Sequence, residues 1–491
     1  MKDHIIDIFL NPKSVAVIGA SNNPLKGGHR ITNNLVLNNF DGHIYPVNPN
    51  SEGKLFSLEF KKSVLDIEGD VDLAVLYVPN KLIPGILSEC IEKGVKGAII
   101  EASGFEEVGE KGIELRDQIL NLTENFSKIR IVGPNCMGLS RIDRDSVSKN
   151  HEMGGFFTSF IEFTKYKRGN VGIISQSGML NGGYLLHIME KYPTLGLRYS
   201  CSIGNKMDLS EIEFLDYMIE DPTVNVIAIY LESFKDPRKF IKLCKKVKNI
   251  PNKTIILVKG GLTVQGQKAT LSHTGSLAEN SQLIDSIIKQ SGVIKANNFF
   301  ELFQFIRTFS TIYNTEKILP KYGNVAMVTG SGGAGTISAD LTIKYGLNFP
   351  PFEEKAYEKL VILFPDWMPP NRFALVDLWP TMEKAMMNKV NPGIVMNSVY
   401  KILLDEEYIE GLMIMMFCSN RFRGMTNFDN TAKNISKISK PVFFWLIGDL
   451  KEIRRTSQLL DKYGILHFHS LEDMIKNFWV LYQESKNKNK N

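Results

Sequence analysis

The stretch Ser14-Val15-Ala16-Val17-Ile18-Gly19-Ala20-Ser21-Asn22-Asn23-Pro24-Leu25-Lys26-Gly27-Gly28 decides how the first third of this chain folds. Its opening run of small and β-branched residues predicts a buried strand. The glycine-bearing segment after Ile18 predicts a tight turn, and a helix is expected from about His29 onward. A turn between a strand and a helix presents backbone N–H groups and the positive end of the helix dipole to an anion, and Lys26 adds a mobile charge.

Four more short apolar runs follow, at residues 44–47, 73–77, 97–100 and 129–132. Because they are apolar along their whole length and alternate with helical stretches, they predict a parallel sheet covered on both faces. We therefore expect a Rossmann-like domain over residues 1–145. Ligands of such sheets bind at the carboxyl edge of the strands. The loops predicted at that edge are polar or contain glycine: Val47-Asn48-Pro49-Asn50, Val78-Pro79-Asn80, Ser103-Gly104-Phe105 and Gly133-Pro134-Asn135-Cys136-Met137-Gly138.

The first turn differs from the dinucleotide fingerprint G-x-G-x-x-G, because the second glycine of that pattern is missing. No lone acidic residue follows the second strand to bind a ribose. Strand-to-helix turns that bind nothing are also common in doubly wound sheets. On its own, therefore, the turn is compatible with an anion site and with a purely structural role.

A second α/β region starts at residues 172–174, which run into the hydroxyl-rich turn Ser175-Gln176-Ser177-Gly178 and then a helix. This order again predicts an anion site at a helix N-terminus. Three further predicted strands end in polar residues. They are followed by Gly204-Asn205, by Glu232 and by Lys259-Gly260-Gly261.

The segment Leu271-Ser272-His273-Thr274-Gly275-Ser276-Leu277 holds one imidazole among hydroxyls and small side chains, and we expect it to form a loop. An imidazole nitrogen in such a setting can accept a phosphoryl group and pass it on. The alternative for His273 is a hydrogen-bonded loop or helix-cap residue. Glu232 also has two interpretations, a solvated carboxylate at the rim or an acceptor that fixes the tautomer of a nucleophilic imidazole. Spacing alone does not decide between them.

A boundary is predicted near residue 319, after a helical stretch over 298–313, so the second domain spans 146–318. The third domain, over 319–482, opens with a strand and the turn Thr329-Gly330-Ser331-Gly332-Gly333-Ala334-Gly335-Thr336. This turn lacks the G-K-[ST] ending of a nucleotide-binding P-loop and suits a phosphate only. Predicted strands at 411–417 and 441–445 indicate a flavodoxin-like domain. Residues 483–491 are polar without apolar periodicity, and we expect a disordered tail.

The chain has 491 residues, of which 43% are hydrophobic and 23% charged, as in a globular protein of several domains. Its net charge of +5 is small and its lysines are scattered, which excludes a nucleic-acid groove on composition. The five cysteines lie far apart without metal-ligand spacing, which favours reduced thiols and predicts no metal site. No apolar run approaches the ~20 residues that cross a bilayer, and no export signal is recognisable. We expect a cytoplasmic protein without membrane contact.

In their order along the chain, these motifs resemble those of the α-type chain of the NDP-forming acyl-CoA synthetases, the superfamily of succinyl-CoA synthetase and the ADP-forming acetyl-CoA synthetases. The resemblance covers about residues 8–480. Six motifs in the family's order carry it: Ser14-Val15-Ala16-Val17-Ile18-Gly19-Ala20-Ser21, Gly133-Pro134-Asn135-Cys136-Met137-Gly138, Ser175-Gln176-Ser177-Gly178, Gly204-Asn205, Tyr230-Leu231-Glu232 and Ser272-His273-Thr274-Gly275.

The resemblance implies a Rossmann-like domain that binds coenzyme A, followed by two flavodoxin-like domains. His273 would be the phosphorylated histidine, and Glu232 would orient it. Two helix N-termini would hold phosphate between them, which suits a transferring phosphoryl charge. The coenzyme A contacts would be Gly19, Ala20, Ser21, Lys26, Val47, Asn48, Pro49, Val78, Pro79, Asn135 and Cys136. The phosphate contacts would be Ser175, Gln176, Ser177, Gly178, Ser331, Gly332 and Gly333, and the substrate contacts would be Gly204 and Asn205.

The implied reaction converts an acyl-CoA, ADP and phosphate into the carboxylic acid, ATP and CoA, through an acyl phosphate and a phosphohistidine. The family's nucleotide site is an ATP-grasp domain, and three α/β regions leave no room for one in this chain. The resemblance therefore implies a β-type partner chain in a hetero-oligomer, with Mg²⁺ accompanying the nucleotide on that partner.

The chain departs from the family pattern in its third domain. Relatives often carry Asn-Pro-Val-Asp there, whereas this chain has Phe373-Ala374-Leu375-Val376-Asp377-Leu378-Trp379-Pro380, with Trp367 upstream. Lys206, directly after Gly204-Asn205, adds a cation. These differences suggest a carboxylate-bearing or aromatic acid as substrate. The alternatives to a catalytic subunit are a non-catalytic CoA or acyl-CoA sensor and a regulatory or scaffold subunit that carries phosphohistidine.

Overall fold

The computed structural model describes residues 4–143, 154–159, 161, 166–274, 281–420 and 428–489, and for residues 272–274 it describes the backbone alone. The chain divides into two compact units, residues 1–306 and 307–491. The first unit contains two large sheets and the second unit contains one. The predicted α/β class, with largely parallel sheets and helices between the strands, is confirmed. The predicted domain boundaries at residues 145, 318 and 482 stay a prediction.

The first sheet has the order β2-β1-β5-β6-β7, and all of its strands are parallel. Every residue of its central strands β1, β5 and β6 is buried, as the continuous apolar runs predicted. The strands are β1 Ser14–Ile18, β2 His43–Val47, β3 Lys54–Leu55, β4 Leu58–Glu59, β5 Leu73–Leu76, β6 Gly97–Ile100 and β7 Arg130–Val132, of which β3 and β4 form a separate hairpin. The helices are α1 Asp7–Leu10, α2 Gly27–Leu37, α3 Ile83–Lys93 and α4 Glu110–Leu122, with 3-10 turns at Val64–Asp66, Asn80–Leu82 and Glu106–Val108.

The second sheet has the order β14-β13-β12-β10-β11-β8-β9, in which β8 and β9 are antiparallel additions at one end. The strands are β8 Leu139–Ile142, β9 Gly155–Phe157, β10 Arg168–Ser175, β11 Leu197–Ser202, β12 Val226–Leu231, β13 Thr254–Lys259 and β14 Ile294–Lys295. A π-helical turn, Leu180–Tyr184, follows β10 and continues into a helix. The helices are α5 Leu185–Lys191, α6 Glu211–Glu220, α7 Pro237–Val247, α8 Val264–Thr274, α9 Ser281–Ser291 and α10 Phe299–Asn314.

The third sheet lies in the second unit and has the parallel order β16-β15-β17-β18-β19. The strands are β15 Ala326–Thr329, β16 Leu375–Asp377, β17 Leu412–Cys418, β18 Val442–Gly448 and β19 Leu466–Phe468. The helices are α11 Gly332–Lys344, α12 Glu354–Leu363, α13 Trp379–Met387, α14 Pro392–Asp405, α15 Phe428–Ser436, α16 Leu450–Lys462 and α17 Leu471–Asn489.

The predicted disorder of the C-terminal tail was wrong for residues 483–489. Helix α17 continues to Asn489, and the side chains of Glu484 and Ser485 are buried. A polar, lysine-rich sequence shows no apolar period, so packing against the rest of the unit decides its structure here. Among the described residues, no helix combines the length and the apolar composition that a membrane span requires.

Candidate functional site

The first three parallel strands are arranged in the same way in all three sheets. The strand that comes first in the sequence lies between the second and the third. The first strands are β1, β10 and β15, and the third strands are β5, β12 and β17. In this doubly wound order, the connections from the first and third strands leave the sheet toward opposite faces, and a crevice opens between their carboxyl ends. The turns that follow β1, β10 and β15 are the three turns singled out in the sequence. The fold therefore positions each of them at the ligand-binding crevice of its own sheet.

The turn after β1 is closed so tightly that only glycine fits at two of its positions. Gly19 has φ +94°, and a Cβ there would lie 2.2 Å from the carbonyl oxygen of Tyr77. A Cβ on Gly28 would lie 2.0 Å from the carbonyl oxygen of Gly19. Helix α2 consequently starts directly against the turn, and no side chain caps its N-terminus. Its first-turn N–H groups are therefore positioned for an anionic ligand.

Residues of two neighbouring loops hold this turn in place. The side chain of Asn48 donates a hydrogen bond to the carbonyl oxygen of Ala20 at 2.7 Å, and the N–H of Gly19 donates to the carbonyl oxygen of Val47 at 2.9 Å. The Ser21 hydroxyl accepts from the N–H of Asn23 at 3.1 Å. The side chains of Lys26 and Pro49 are exposed at the same edge. The structure thus brings together the predicted contacts of the first two loops.

The remaining predicted coenzyme A residues lie along the same carboxyl edge. Val78 and Pro79 follow β5, while Asn135 and Cys136 follow β7. Asn135 is partly buried, and its side chain donates to Asn205 at 3.3 Å. Cys136 is fully buried, and burial raises the pKa of its thiol. This thiol therefore stays protonated at neutral pH.

Gly204 and Asn205, the predicted substrate residues, are bound to the loop after β7. Gly204 has φ +54°, and a Cβ there would lie 2.1 Å from the carbonyl oxygen of Pro134. The N–H of Asn205 donates to that same oxygen at 2.9 Å, and its side chain donates to Glu107 at 2.8 Å. The predicted substrate residues of the second sheet thus meet predicted coenzyme A residues of the first sheet.

In the turn after β10, Gln176 links the first and third strands of the second sheet. Its side-chain oxygen accepts hydrogen bonds from the N–H groups of Glu232 at 2.6 Å and Ser233 at 3.1 Å. The Ser175 hydroxyl accepts from the N–H of Ser177 at 3.0 Å and donates to its carbonyl oxygen. A Cβ on Gly178 would lie 2.6 Å from the sulfur of Met137. The turn is therefore rigidly bonded to the strand end that carries Glu232.

Glu232 is buried, so it is not a solvated carboxylate at the rim of the sheet. Its side chain is 8% exposed and accepts a hydrogen bond from the hydroxyl of Tyr230 at 3.1 Å. Burial, together with the Glu232 charge, raises the pKa of Tyr230. The ammonium of Lys259 donates to the carbonyl oxygen of Glu232 at 2.7 Å. Glu232 is thus held at the crevice of the second sheet.

His273 lies in the last turn of α8, so the expectation of a loop at this position was wrong for residues 271–274. Helix α8 contacts the 3-10 turn Glu106–Val108, which follows β6 of the first sheet. Its side chains up to Leu271 are largely exposed. The imidazole of His273 lies outside the described residues, and its phosphorylation stays a prediction.

Lys206 does not offer a free cation to a substrate, so that suggestion from the sequence was wrong. Its side chain is 3% exposed, and its ammonium bonds to Glu211 at 3.0 Å and to the carbonyl oxygen of Ser233 at 2.6 Å. Glu211 is fully buried. This buried ion pair joins the loop after β11 to the start of α6.

The turn after β15 belongs to the second unit. Ser331 is the N-cap of α11, and its hydroxyl accepts from the N–H of Ala334 at 3.5 Å. Gly332 and Gly333 are exposed, as a ligand site requires. A Cβ on Gly332 would lie 3.7 Å from a carboxylate oxygen of Asp377, whose other oxygen accepts from the N–H of Trp379. A carboxylate therefore stands beside the helix end that was predicted to bind phosphate.

Two residues that sequence reasoning missed are buried polar groups near these turns. Glu101 is 7% exposed and Asn181 is 5% exposed, and their side-chain polar atoms have no hydrogen-bond partner among the described residues. The signal for Glu101 was present, since an acidic residue directly follows a wholly apolar strand, as at Glu232. Within the described ranges, histidine, cysteine and carboxylate side chains form no group of three that could hold a metal ion.

Two family models match this chain. Residues 13–141 match a CoA binding domain, and residues 168–309 match the succinyl-CoA ligase like flavodoxin domain. The first range contains the whole first sheet, and the second range contains the parallel part of the second sheet with Ser175, Glu232 and His273. The glycine-lined turn after β1, with its uncapped helix, fits a phosphate-bearing ligand such as coenzyme A.

Curated relatives and solved structures match over most of the chain. The ADP-forming acetate–CoA ligase II subunit alpha of Pyrococcus furiosus is 33% identical to this chain, and the match covers 98% of each of the two chains. The ADP-forming acetate–CoA ligase II of Archaeoglobus fulgidus is 33% identical over 90% of this chain, which spans 61% of that longer relative. A solved structure of the dinucleotide forming acetyl-coenzyme A synthetase 1 of Ca. Korarchaeum cryptofilum, in complex with phosphate and ADP, has a TM-score of 0.81 at 27% identity and covers 99% of this chain and 98% of that one.

Proposed function

The chain belongs, as an α-type chain, to the family of ADP-forming acyl-CoA synthetases, and from this membership we propose that it converts an acyl-CoA, phosphate and ADP into the carboxylic acid, ATP and CoA. The reaction is reversible, so the same residues serve the formation of the thioester. Its nucleotide site would lie on an ATP-grasp partner chain, because the three sheets are each of the doubly wound kind. We expect the complex to work in the cytoplasm, where the five buried thiols stay reduced.

The hydrogen bonds that the backbone N–H groups of Glu232 and Ser233 donate to the side-chain oxygen of Gln176 support this proposal most directly. They fix the phosphate turn and the carboxylate together at one crevice. A phosphoryl group is transferred well when its donors and the group that orients the nucleophile are already in place. Glu232 would accept a hydrogen bond from one imidazole nitrogen of His273, which leaves the other nitrogen as the nucleophile.

Three bond exchanges make up the proposed reaction. An oxygen of phosphate attacks the thioester carbonyl carbon, and the carbon–sulfur bond breaks to release CoA. A nitrogen of His273 then attacks the phosphorus of the acyl phosphate, and the carboxylate leaves. The phosphohistidine finally transfers its phosphoryl group to ADP. Mg²⁺, bound with the nucleotide on the partner, would neutralise charge on the phosphates.

The turn after β1 would bind the pyrophosphate of coenzyme A at the N-terminus of α2, with Lys26 adding a charge. Val47, Asn48 and Pro49 would border the adenosine. The Ser175 turn, and the Ser331 turn of the second unit, would each offer a helix N-terminus to phosphate.

Two classes of acid are to be tested. Acetate is the acid in the names of similar relatives. A larger aromatic acid is the second class, because Trp379 leaves 48% of its side chain exposed beside Asp377. An acid with a second carboxylate is not favoured, because the ammonium of Lys206 is bonded to Glu211 inside the protein.

The test is the intact mass of the full chain after incubation with acyl-CoA and inorganic phosphate. We expect an acid-labile phosphoryl adduct on the wild type and none on His273→Ala. Wild-type protein that binds CoA but gains no adduct from any acyl-CoA would support the sensor instead. Co-purification of a chain with an ATP-grasp domain would separately identify the partner.

A further inference from the structure

Glu101 is a buried carboxyl group that no residue of the described part pairs with. Its side chain is 7% exposed, and both oxygens lack a hydrogen-bond donor there. A buried, unpaired carboxylate lowers the stability of a fold by several kcal/mol, which is among the largest effects of a single polar group in a protein core. Burial accordingly raises the pKa of Glu101 well above its usual range, which favours the protonated form. A leucine would fit the core at lower cost, so a chemical role has to be considered.

The direction of the Glu101 side chain follows from the strand that it ends. Its N–H donates to the carbonyl oxygen of Leu76 at 3.2 Å, which continues the ladder between β5 and β6 by one residue. Ile100 packs on the face of the sheet that α3 covers, and Ile99 packs on the opposite face with Cys136. Since side chains alternate along a strand, Glu101 points to the face of Ile99 and Cys136. The negative charge that Glu101 carries when it is ionised raises the pKa of the Cys136 thiol further, which agrees with this placement.

The surroundings of Glu101 and Cys136 also connect the carboxyl edge of the first sheet, where we propose that coenzyme A binds, with the turn after β10, where we propose that phosphate binds. Cys136 is followed by Met137, whose sulfur lies 2.6 Å from the position of a Cβ on Gly178. A Cβ on Gly182, in the π-helical turn, would lie 3.0 Å from the terminal methyl group of Met137. Glu101 therefore lies near the point at which a thioester on the first sheet would meet a phosphate on the second sheet.

The side chains of Cys136 and Glu107, which lie in the neighbouring loops, are already hydrogen-bonded. The Cys136 thiol donates to the carbonyl oxygen of Ile100 at 3.4 Å, and burial keeps it protonated. Glu107 accepts from the N–H of Gly104 at 2.7 Å and from Asn205 at 2.8 Å. Of these three side chains, only the carboxyl of Glu101 has no hydrogen-bond partner among the described residues.

We propose that the carboxyl group of Glu101 donates a proton to the sulfur of CoA as the thioester breaks, and takes it back when the thioester forms. This proposal rests on the proposed function. In the forward direction, an oxygen of HPO₄²⁻ forms a bond to the carbonyl carbon, and the electron pair of the carbon–sulfur bond goes to sulfur. Sulfur takes the proton of Glu101, and the resulting carboxylate recovers a proton from the attacking phosphate. The products are the acyl phosphate and CoA thiol, and the charges balance.

The test separates the two ways of phosphorylating the full chain. Acyl-CoA with phosphate requires the sulfur to leave, whereas synthetic acetyl phosphate bypasses that step. We expect Glu101→Gln, with equal size and no transferable proton, to slow adduct formation from acetyl-CoA and phosphate by roughly 10²–10⁴-fold. With acetyl phosphate, its rate should stay within about twofold of the wild type. The exposed Glu114→Gln, on α4, is the control for the loss of a carboxyl.

Two further measurements exclude a purely structural role. Glu101→Leu should slow the first reaction as Glu101→Gln does while raising the melting temperature, because it removes a buried polar group. The pH profile of the first reaction should lose one limb in Glu101→Gln. Equal rates of wild type and Glu101→Gln in both reactions, or equal slowing in both, would overturn the proposal and leave the proposed function intact. If the wild type gains no adduct from the acetyl donors, both reactions are repeated with an aromatic acyl-CoA and the matching acyl phosphate. A wild type without an adduct from any of these donors would instead overturn the proposed function, and this role with it.

Discussion

The side-chain oxygen of Gln176 accepts a hydrogen bond from the backbone N–H of Glu232 at 2.6 Å. Gln176 belongs to the turn after the first strand of the second sheet, and Glu232 directly follows the third strand. The bond therefore spans the crevice at which the connections diverge. It makes the geometry of the turn that we propose to bind phosphate depend on the strand that carries Glu232.

We expect Gln176→Leu to destabilise the chain, because the buried N–H group of Glu232 and the partly buried N–H group of Ser233 would lose their acceptor. The cost should be about 1–3 kcal/mol for each donor that stays unpaired. Urea unfolding of the full chain measures it. The exposed Gln458→Leu, on α16, is the control and should change stability by less than about 0.5 kcal/mol. Equal stability of both variants would show that water or a shifted backbone replaces Gln176.

Lys206→Met should be strongly destabilising, because it leaves the fully buried carboxylate of Glu211 without its cation. Breaking a buried pair from one side costs about 3–5 kcal/mol. Lys401→Met removes the cation of the exposed pair with Asp405 and should cost less than about 0.5 kcal/mol. Denaturant unfolding compares the two. Unchanged stability of Lys206→Met, combined with weaker binding of the acid, would restore Lys206 as a substrate-binding cation.

The stability of the second unit should fall in mild acid because of His467. Burial, together with the charge of Arg307, lowers the pKa of His467 to about 4 from a usual value of 6.5. Between these two values the unfolded chain binds the additional proton, so stability is complete above pH 6.5 and decreases as the pH falls toward 4. The 2.5 units between those values correspond to at most about 3 kcal/mol.

Tryptophan fluorescence can follow this transition, because Trp367, Trp379, Trp445 and Trp479 all lie in the second unit. His467→Gln should reduce the loss of thermal stability between pH 7 and pH 5. His469→Gln, at an exposed neighbour, should retain most of it. A transition equally sensitive to pH in His467→Gln would assign the effect to other groups.

The sequence predicted the central strands well, and β1 and β6 to the residue, because a continuous apolar run bounded by turn residues has few other solutions in an α/β chain. It did not predict that His273 lies in a helix. Residues 264–274 lack an apolar stripe, so their hydrophobic pattern does not have the 3.6-residue period that predicts a helix. The helix over residues 483–489 was missed for the same reason, since its sequence gives no sign that Glu484 and Ser485 are buried.

For the candidate site, the sequence identified the turns but not the bonds between them. The turn after β10 and the carboxylate at Glu232 each stood out as polar groups after apolar strands. Their link through Gln176 depends on strand order, which a single sequence does not specify. Lys206 was misjudged because the sequence does not show that Glu211, at the start of α6, is buried beside it as its partner.

Gly19→Ala should impair both folding and coenzyme A binding. The added Cβ would lie 2.2 Å from the carbonyl oxygen of Tyr77 at a φ of +94°. Gly53→Ala is a matched control, because Gly53 has φ +77° and nothing within 4 Å of an added Cβ. The control isolates backbone strain of about 1–2 kcal/mol, and Gly19→Ala should exceed it. Calorimetry with CoA should show at least about tenfold weaker binding for Gly19→Ala, since the turn must open. Equal affinity of both variants for CoA would show that this turn does not bind the ligand.

Glu232→Gln tests whether the buried carboxylate orients His273. Glutamine keeps the size of the side chain and can still accept from the Tyr230 hydroxyl, so the fold should be preserved. An amide supports the imidazole less well than a carboxylate, because it cannot stabilise the charge that develops on the ring, and phosphorylation from acetyl phosphate should slow by roughly 10²-fold or more. Affinity for CoA should change by less than about twofold, because the turn after β1 is in another sheet. Tyr230→Phe, which removes only the hydrogen bond to Glu232, should slow the same step by a smaller factor. Rates of Glu232→Gln equal to those of the wild type would remove Glu232 from the mechanism, whereas a parallel loss of CoA affinity would point to a distorted fold.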